Sequence, residues 1–367
     1  MKIIKHDVIS KNFDGRGNCW GTVARLPDGR IGAAWSGGRM GHVCPFGRLE
    51  MAYSTDGKKF SLPSIVFDSL LDDRDAGLTA WGDKTVLTTF NNRVAMQRNS
   101  LKGADTFWAV EPALRGLAEN HLNRISPEYE EKYLGSLLLI SDDGETFGDF
   151  IKLPISAPHG PIGLKNGTLF YVGHPFEKNI PWNGATLQED IYVMQTVDGK
   201  NWSEPMAIAK GEDCKNFMLC EPNVVECDNG DILLSARVHL NVNDGYTHLG
   251  IAISRSTDGG KTFTPFTMTS FEGAPPHILK LKNGKLVLTY SRRIMPKKIC
   301  ARISEDNGYT WGEEYSLIDL SDYVDMGYPS SVELDDGTIL TAYYASNHYV
   351  DKNPDNPAKF ACVTWEI

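Results

Sequence analysis

A tyrosine, two carboxylates, two imidazoles and a set of arginines are the side chains of this sequence that invite a catalytic reading. Arg16, Arg74, Asp75, His159, Glu221, His277 and Tyr328 each stand at or just before the opening of an apolar or alternating segment. Carboxylates serve as general acids and bases, imidazoles as acids or hydrogen-bonding groups, and arginine forks hold acidic ligands. Brought together, these groups form a cup able to hold an anion and to exchange protons with it. They are strewn from residue 16 to residue 328, so the fold alone can assemble them.

Other acids compete for the same reading and lose. Asp56, Asp143, Asp198, Asp258 and Asp306 lie in STDGKKF, SDDGETF, TVDGKNW, STDGGKTF and SEDNGYTW. In each, Ser/Thr-x-Asp is followed by a Gly-containing turn and closed by an aromatic. Asp and Gly take turn conformations, and the Ser/Thr and Asp side chains tie the loop backbone. These five are therefore structural. The aspartates do not follow calcium-loop spacing, and no histidine pair brackets a glutamate, so no metal ligand set is expected. No glycine loop has the strand–helix context of a phosphate cradle, and no cofactor is expected.

The elements that must position the cup are repeats. Apolar segments broken by Asp-Gly or Asn-Gly recur as TVARLPDGRIGAAW, PIGLKNGTLFYVG, NVVECDNGDILLSAR, HILKLKNGKLVLTY and SVELDDGTILTAYY, with GLTAWGDKTVLTTF as a looser copy. Their turn glycines are residues 29, 82, 167, 230, 284 and 337. Each unit reads as two strands around a tight turn, a third strand ending at an Asp-containing loop, and one more strand. Six such units predict an all-β fold, a six-bladed β-propeller formed by residues 1–367 as a single domain. The innermost strands of such a ring line its centre, so the residues opening them converge there.

The long step from Gly82 to Gly167 marks an insertion in the second blade, at about 91–132, with helical composition and a Ser-Pro start at Ser126. It reads either as a surface helix or as a lid beside the pocket. The last unit lacks an Asp-containing loop, so an N-terminal strand from KIIKHDVI is expected to close the ring and remove its free edges.

Composition bounds the partners. Lys and Arg number 37 against 47 Asp and Glu, a formal charge of −10, which makes a nucleic-acid partner a poor expectation. No apolar run approaches the ~18 residues of a membrane span, so no membrane partner is expected. The seven cysteines are scattered without a CxxC pair, which argues against a disulfide framework. The N-terminus lacks the pattern of a secretory signal, so the expected location is cytoplasmic, or secreted with the signal already removed.

The repeated Asp-containing loops on six blades resemble the Asp-box (BNR) repeats of the sialidase, or neuraminidase, superfamily, across nearly the whole chain outside the insertion. Three positions match its active-site pattern. Glu221 opens CEPNVVECDNGDILLSAR, Arg237 ends that hairpin, and Tyr328 stands in MGYPSSVELDDGTIL. The resemblance implies that Tyr328 is the nucleophile, Glu221 the base that takes its proton, and Arg237 one arginine of a carboxylate-binding triad. A further triad arginine is expected before ICARIS, where Arg292 and Arg293 stand; Arg293 is the expected residue. Arg39 and His42, in SGGRMGHVC, fall where the family's first-blade active loop lies, and substrate contact is expected there.

Two departures accompany the match. The family's first-blade Arg-Ile-Pro is replaced by Trp20, Gly21 and Thr22, with Arg16 nearby but out of register. Where the family's acid would follow the first hairpin, this chain has Ser36 and Gly37, so Asp75 of the next blade is the expected proton donor. The expected ligand is a carbohydrate, with Arg16, Arg39, Arg74, Arg237, Arg293, His159 and His277 as its contacts. Three functions stay open: an exo-acting glycoside hydrolase for a terminal acidic sugar such as sialic acid; a related hydrolase or lyase for uronic-acid or deoxy-sugar glycans; and a glycan-binding propeller without catalysis.

Overall fold

Each Gly-turn hairpin forms the first two strands of an antiparallel sheet, and six such sheets surround one axis. The computed structural model describes residues 1–11, 16–103, 112–177, 181–182, 185–241, 247–347 and 358–367. Blade 1 runs Gly17–Arg25, Ile31–Arg39, Arg48–Ser54 and Ser64–Phe67; blade 2 runs Asp72–Trp81, Lys84–Asn92, Ser136–Ser141 and Ile151–Leu153. Blade 3 begins in two short pieces, Ile155–Ser156 and Ile162–Gly163, before Leu169–Pro175, Tyr192–Thr196 and Met206–Ala207. Blade 4 runs Met218–Glu226, Ile232–Asn241, Thr247–Ser256 and Thr267–Glu272, and blade 5 Pro276–Lys280, Leu286–Arg292, Lys298–Ser304 and Tyr315–Asp319. Blade 6 is Asp325–Glu333, Ile339–Ser346 and Lys359–Glu366, completed on its outer edge by Lys2–Val8. That last pairing is antiparallel, from Lys2 opposite Glu366 to Val8 opposite Ala361, and closes the ring as expected. Joining the two ends of the chain in one blade covers an edge that would otherwise stand open.

The tight turns hold because their glycines take a left-handed backbone that a Cβ would oppose. Gly29, Gly167, Gly230, Gly284 and Gly337 have φ of +90°, +87°, +87°, +84° and +81°. The Asp loops are staples, as the sequence suggests. Ser141 Oγ donates to Asp143 at 2.9 Å, and Asp143 accepts from the N–H groups of Glu145 and Thr146 at 2.8 and 2.7 Å. Thr196, Asp198, Lys200 and Asn201 repeat that pattern. These backbone donors hold the Asp143 and Asp198 carboxyls well below the usual range, which fixes them as anions of the loop.

Hydrophobic burial lies between blades. Trp35, Phe360 and Ile9 join blade 1 to blade 6, Leu78 and Met51 join blades 1 and 2, and Phe170, Val224 and Leu234 join blades 3 and 4. Every blade thus buries both faces, which explains strands such as ILTAYYAS that are buried at every position.

The chain between the second and third strands of blade 2 forms helices α1 (Val94–Leu101), α2 (Pro112–Leu122) and α3 (Pro127–Tyr133). Ser126 caps α3 by accepting from the N–H of Tyr129 at 3.2 Å, with Pro127 in the first turn. Residues 104–111 of the predicted insertion lie outside the described residues. Leu101, Ala118 and Leu122 pack on Met40, Cys44 and Phe46 of the blade 1 loop. Neither expectation for the insertion fits this arrangement in full: among the described residues it contributes no lining to the central pocket, yet it is no idle surface helix. It buttresses the loop that carries His42.

Candidate functional site

Four innermost strands share one irregularity, and it builds the site. Trp20, Asp75, Glu221 and Tyr328 have φ of +47°, +44°, +48° and +53°. Around each, the pairing with the next strand slips: between Cys19 and Thr22, Arg74 and Gly77, Cys220 and Asn223, and Gly327 and Ser330. These are β-bulges with a large side chain in the left-handed region, a conformation that costs on the order of 1–3 kcal/mol per residue. In a regular strand, consecutive side chains face opposite sides. The bulge breaks that alternation, so both Arg74 and Asp75 reach the same pocket.

The residue after each bulged position is Gly21, Ala76, Pro222 or Pro329. Small size has a cause at Gly21, where a Cβ would lie 2.4 Å from the Ala34 carbonyl oxygen and 2.7 Å from the Phe360 ring. A large or charged residue followed by Gly, Ala or Pro is a trace of the bulge in the sequence, but it does not single out Trp20, because Arg16–Gly17 and His159–Gly160 carry it as well.

The pocket has a volume of about 310 Å³ and opens at the starts of the first strands. Tyr328, Glu221, Asp75, Arg74, Arg237 and Arg293 line it, together with Trp20, His42, Phe90, Pro158, Asp325 and Tyr344. The Tyr328 hydroxyl donates to Glu221 Oε1, and Arg237 Nη1 donates to Glu221 Oε2 at 2.8 Å. Burial alone would raise the Glu221 pKa, but Arg237, the Tyr328 hydroxyl and Arg293 outweigh it and hold the carboxyl below its ordinary range. Burial and the Glu221 charge push Tyr328 well above the ordinary phenol. At neutral pH the pair is a protonated phenol on an ionised carboxylate.

Asp75 is the opposite case. Burial, with the Glu221 charge adding to it against Arg74, pushes its carboxyl up to about 7. Its Oδ1 has no hydrogen-bond partner among the described residues. Two carboxylates in one pocket therefore differ in protonation near neutral pH, the arrangement that separates an acid from a base.

Arginines frame the cup. Arg293 pairs with Asp325 at 3.4 Å, donates to the Tyr344 hydroxyl at 3.4 Å, and stands 5.7 Å from the Tyr328 ring centre. Arg74 lies 4.1 Å over the Trp20 ring and donates to the His42 carbonyl oxygen. Its other terminal nitrogen is 3.4 Å from His42 Nε2. Burial, then the charges of Arg74, Arg39 and Arg293, push His42 down to about 2, so its imidazole is neutral. Asp325 opens the first strand of blade 6 ahead of Tyr328 and fits the strand-start rule, whereas Tyr344 escapes it because it reaches the pocket from outside the innermost strands. Tyr344 comes from the second strand of blade 6, where it pairs with Gly327.

Four expected contacts lie elsewhere. Arg39 is 1% exposed and pairs with the equally buried Asp72 at 2.8 Å, beneath Trp20 at 4.6 Å; it supports the floor and does not line the pocket. Arg16 precedes the first strand of blade 1, half-buried, and is not part of the pocket wall. His159 and His277 face each other, ring centres 5.0 Å apart, at a second cavity of about 360 Å³ formed by the later parts of the first strands. The reason is local. Blade 5 pairs in unbroken register from Pro276 to Lys280, without the bulge that throws a side chain upward. In blade 3 the first strand is interrupted around His159, which instead meets Thr22 Oγ1 at 3.2 Å. Burial holds His159 down at about 3 and His277 well below its ordinary value, so both are neutral spacers inside the ring.

Comparison with known proteins agrees with this architecture. Residues 127–340, more than half of the chain, match the family model described as a BNR repeat-like domain. No curated protein sequence matches. Among solved structures, a protein of unknown function from Dyadobacter fermentans superposes with a TM-score of 0.74 at 22% identity, covering 100% of this chain and 99% of that one. The NanB sialidase from Streptococcus pneumoniae gives 0.63 at 14%, covering 100% and 70%. The Trypanosoma rangeli sialidase, solved with the inhibitor DANA, gives 0.60 at 16%, covering 95% and 55%. At these identities the likeness is one of fold.

Proposed function

Because the chain belongs to the BNR repeat-like domain family of sialidase-like propellers, we propose that it is an exo-acting glycoside hydrolase for a terminal acidic sugar, of the sialidase kind. The observation that carries this reading is the hydrogen bond from Tyr328 to Glu221, with Arg237 on the other carboxylate oxygen. A phenol that hands its proton to an ionised carboxylate is a nucleophile that need not carry charge until it reacts. That suits a sugar with a carboxylate on its anomeric carbon, which would repel an anionic attacker.

In the first step the Tyr328 oxygen bonds to the anomeric carbon while Glu221 takes the phenolic proton. Asp75, whose raised carboxyl is protonated below about pH 7, gives its proton to the departing glycosidic oxygen. In the second, Asp75 takes a proton from water as that water displaces tyrosine, and Glu221 returns the proton to the phenolate. The anomeric configuration is retained. Arg74, Arg237 and Arg293 supply the cations for the acidic group, and the Trp20 ring is the support on which Arg74 lies.

The test is release of the aryl group from an aryl α-sialoside. Wild-type turnover, reduced about 10²- to 10⁴-fold in Tyr328→Phe without loss of thermal stability, supports the reading. Absence of release overturns it. Trp20, standing where a first-blade arginine was expected, favours a second reading: a related hydrolase or lyase for uronic-acid or deoxy-sugar glycans. Growth of unsaturated-uronate absorbance on an acidic glycan would support that one.

A further inference from the structure

The three arginines of the cup are not equivalent. Arg237 is paired with Glu221 at 2.8 Å and Arg293 with Asp325 at 3.4 Å. Among the described residues Arg74 has no carboxylate within ion-pair distance; its partners are the His42 carbonyl, the neutral His42 ring, and the faces of Trp20 and Phe90 at 4.1 and 5.7 Å. Among the described residues all three leave an Nε without an acceptor, so spare donors do not distinguish them. Charge does. In a confined pocket, a cation already neutralised attracts a further anion weakly, and an unneutralised one dominates.

We propose that Arg74, carried over Trp20 from blade 2, is the residue that reads the acidic group of the sugar, and that it takes this group together with a proton on Asp75. The proposal rests on reading the pocket as a cup for acidic sugars, but not on turnover. It goes beyond the expectation of capture by Arg237 and Arg293 by naming Arg74 as the residue that separates an acid from its ester.

The geometry makes the coupling. Arg74 and Asp75 are successive residues that the bulge turns into one pocket. Asp75 is 7% exposed, and its Oδ1 accepts no hydrogen bond among the described residues. The charged groups acting on it are Arg74 and Arg39, which favour its anion, and Glu221 and Asp72, which oppose it; Tyr328 and His42 are neutral. A ligand carboxylate on Arg74 cancels the first of the favourable charges and adds a repulsive one. Binding therefore draws a proton onto Asp75, and the acid is charged by the arrival of the group it serves.

The experiment is calorimetric binding of N-acetylneuraminate and glucuronate, each against its methyl ester, to the full chain at pH 7 in buffers of differing ionisation heat. Wild type should bind one acid at least about tenfold more tightly than its ester, with net proton uptake. Arg74→Gln should abolish the acid-over-ester preference while leaving ester affinity within about twofold, and Arg74→Lys should restore part of it. Asp75→Asn should keep the preference but lose the proton uptake. A preference that survives Arg74→Gln, equal losses for acid and ester, or no acid preference in wild type overturns the proposal. Turnover of a sialoside is a separate readout, so failure of the hydrolase reading and failure of this one are distinguishable.

Discussion

Tyr328 and Glu221 meet from opposite parts of the sequence, blade 6 donating a phenolic proton to a carboxylate of blade 4, and each does so from a bulge with a left-handed backbone. Neither side chain would reach the other from a regular strand. The two strained residues are held by the rest of the ring, Tyr328 in a core with Trp20 and Tyr344, and the Glu221 strand by Leu219 and Val224 in the core shared with blade 3.

On the proposed mechanism the two residues act as a single unit, and their losses should not add. Glu221→Gln alone should reduce turnover of the best substrate about 10²- to 10⁴-fold. The double variant with Tyr328→Phe should be no worse than the poorer single variant, within about threefold. Steady-state kinetics on the four proteins of the cycle checks this. Multiplying losses would show that the residues act independently.

The raised Asp75 carboxyl sets a pH signature. It must be protonated to act as an acid, so kcat/KM should fall as pH rises through about 7, and Asp75→Asn should lose that limb together with most of the activity on substrates that need protonation. The stability sign is opposite to that of a salt-bridged acid. A carboxyl whose folded pKa exceeds its unfolded value favours folding most below the unfolded pKa, and that contribution is lost as pH rises through the window up to about 7. Asp75→Asn should therefore raise the melting temperature relative to wild type more at pH 8 than at pH 5. Equal shifts at both pH values would contradict the assignment.

The insertion should affect binding from a distance. Leu122 is fully buried against the loop that holds His42, and the His42 carbonyl fixes both Arg74 and Arg39. Leu122→Ala leaves a cavity costing about 2–5 kcal/mol locally. Faster hydrogen exchange over residues 40–46 and a raised KM with kcat changed less than threefold are expected. An unchanged KM with the loop demonstrably loosened would show that the buttress has no bearing on the site.

Much of this molecule is legible in the order of its residues. The turn glycines and Asp loops set hairpins, the hairpins set blades, and six blades with a spare N-terminal strand leave ring closure as the way to bury both edges. These are local signals, repeated, and repetition makes weak turn chemistry decisive. Tyr328, Glu221 and Arg237 were legible through resemblance, and Asp75 through its place at a strand start. What the sequence left open is which strand-opening side chains turn upward. His159 and His277 share that position with Glu221, yet they lie at the other cavity, His277 on a strand in unbroken register and His159 where the first strand of blade 3 is interrupted. Arg39, expected at the substrate, is instead buried in an ion pair with Asp72. A bulge depends on pairing register with the neighbouring strand, and the fate of an arginine depends on which carboxylate packs against it. Both are set by partners distant in sequence, so tertiary structure alone decided them.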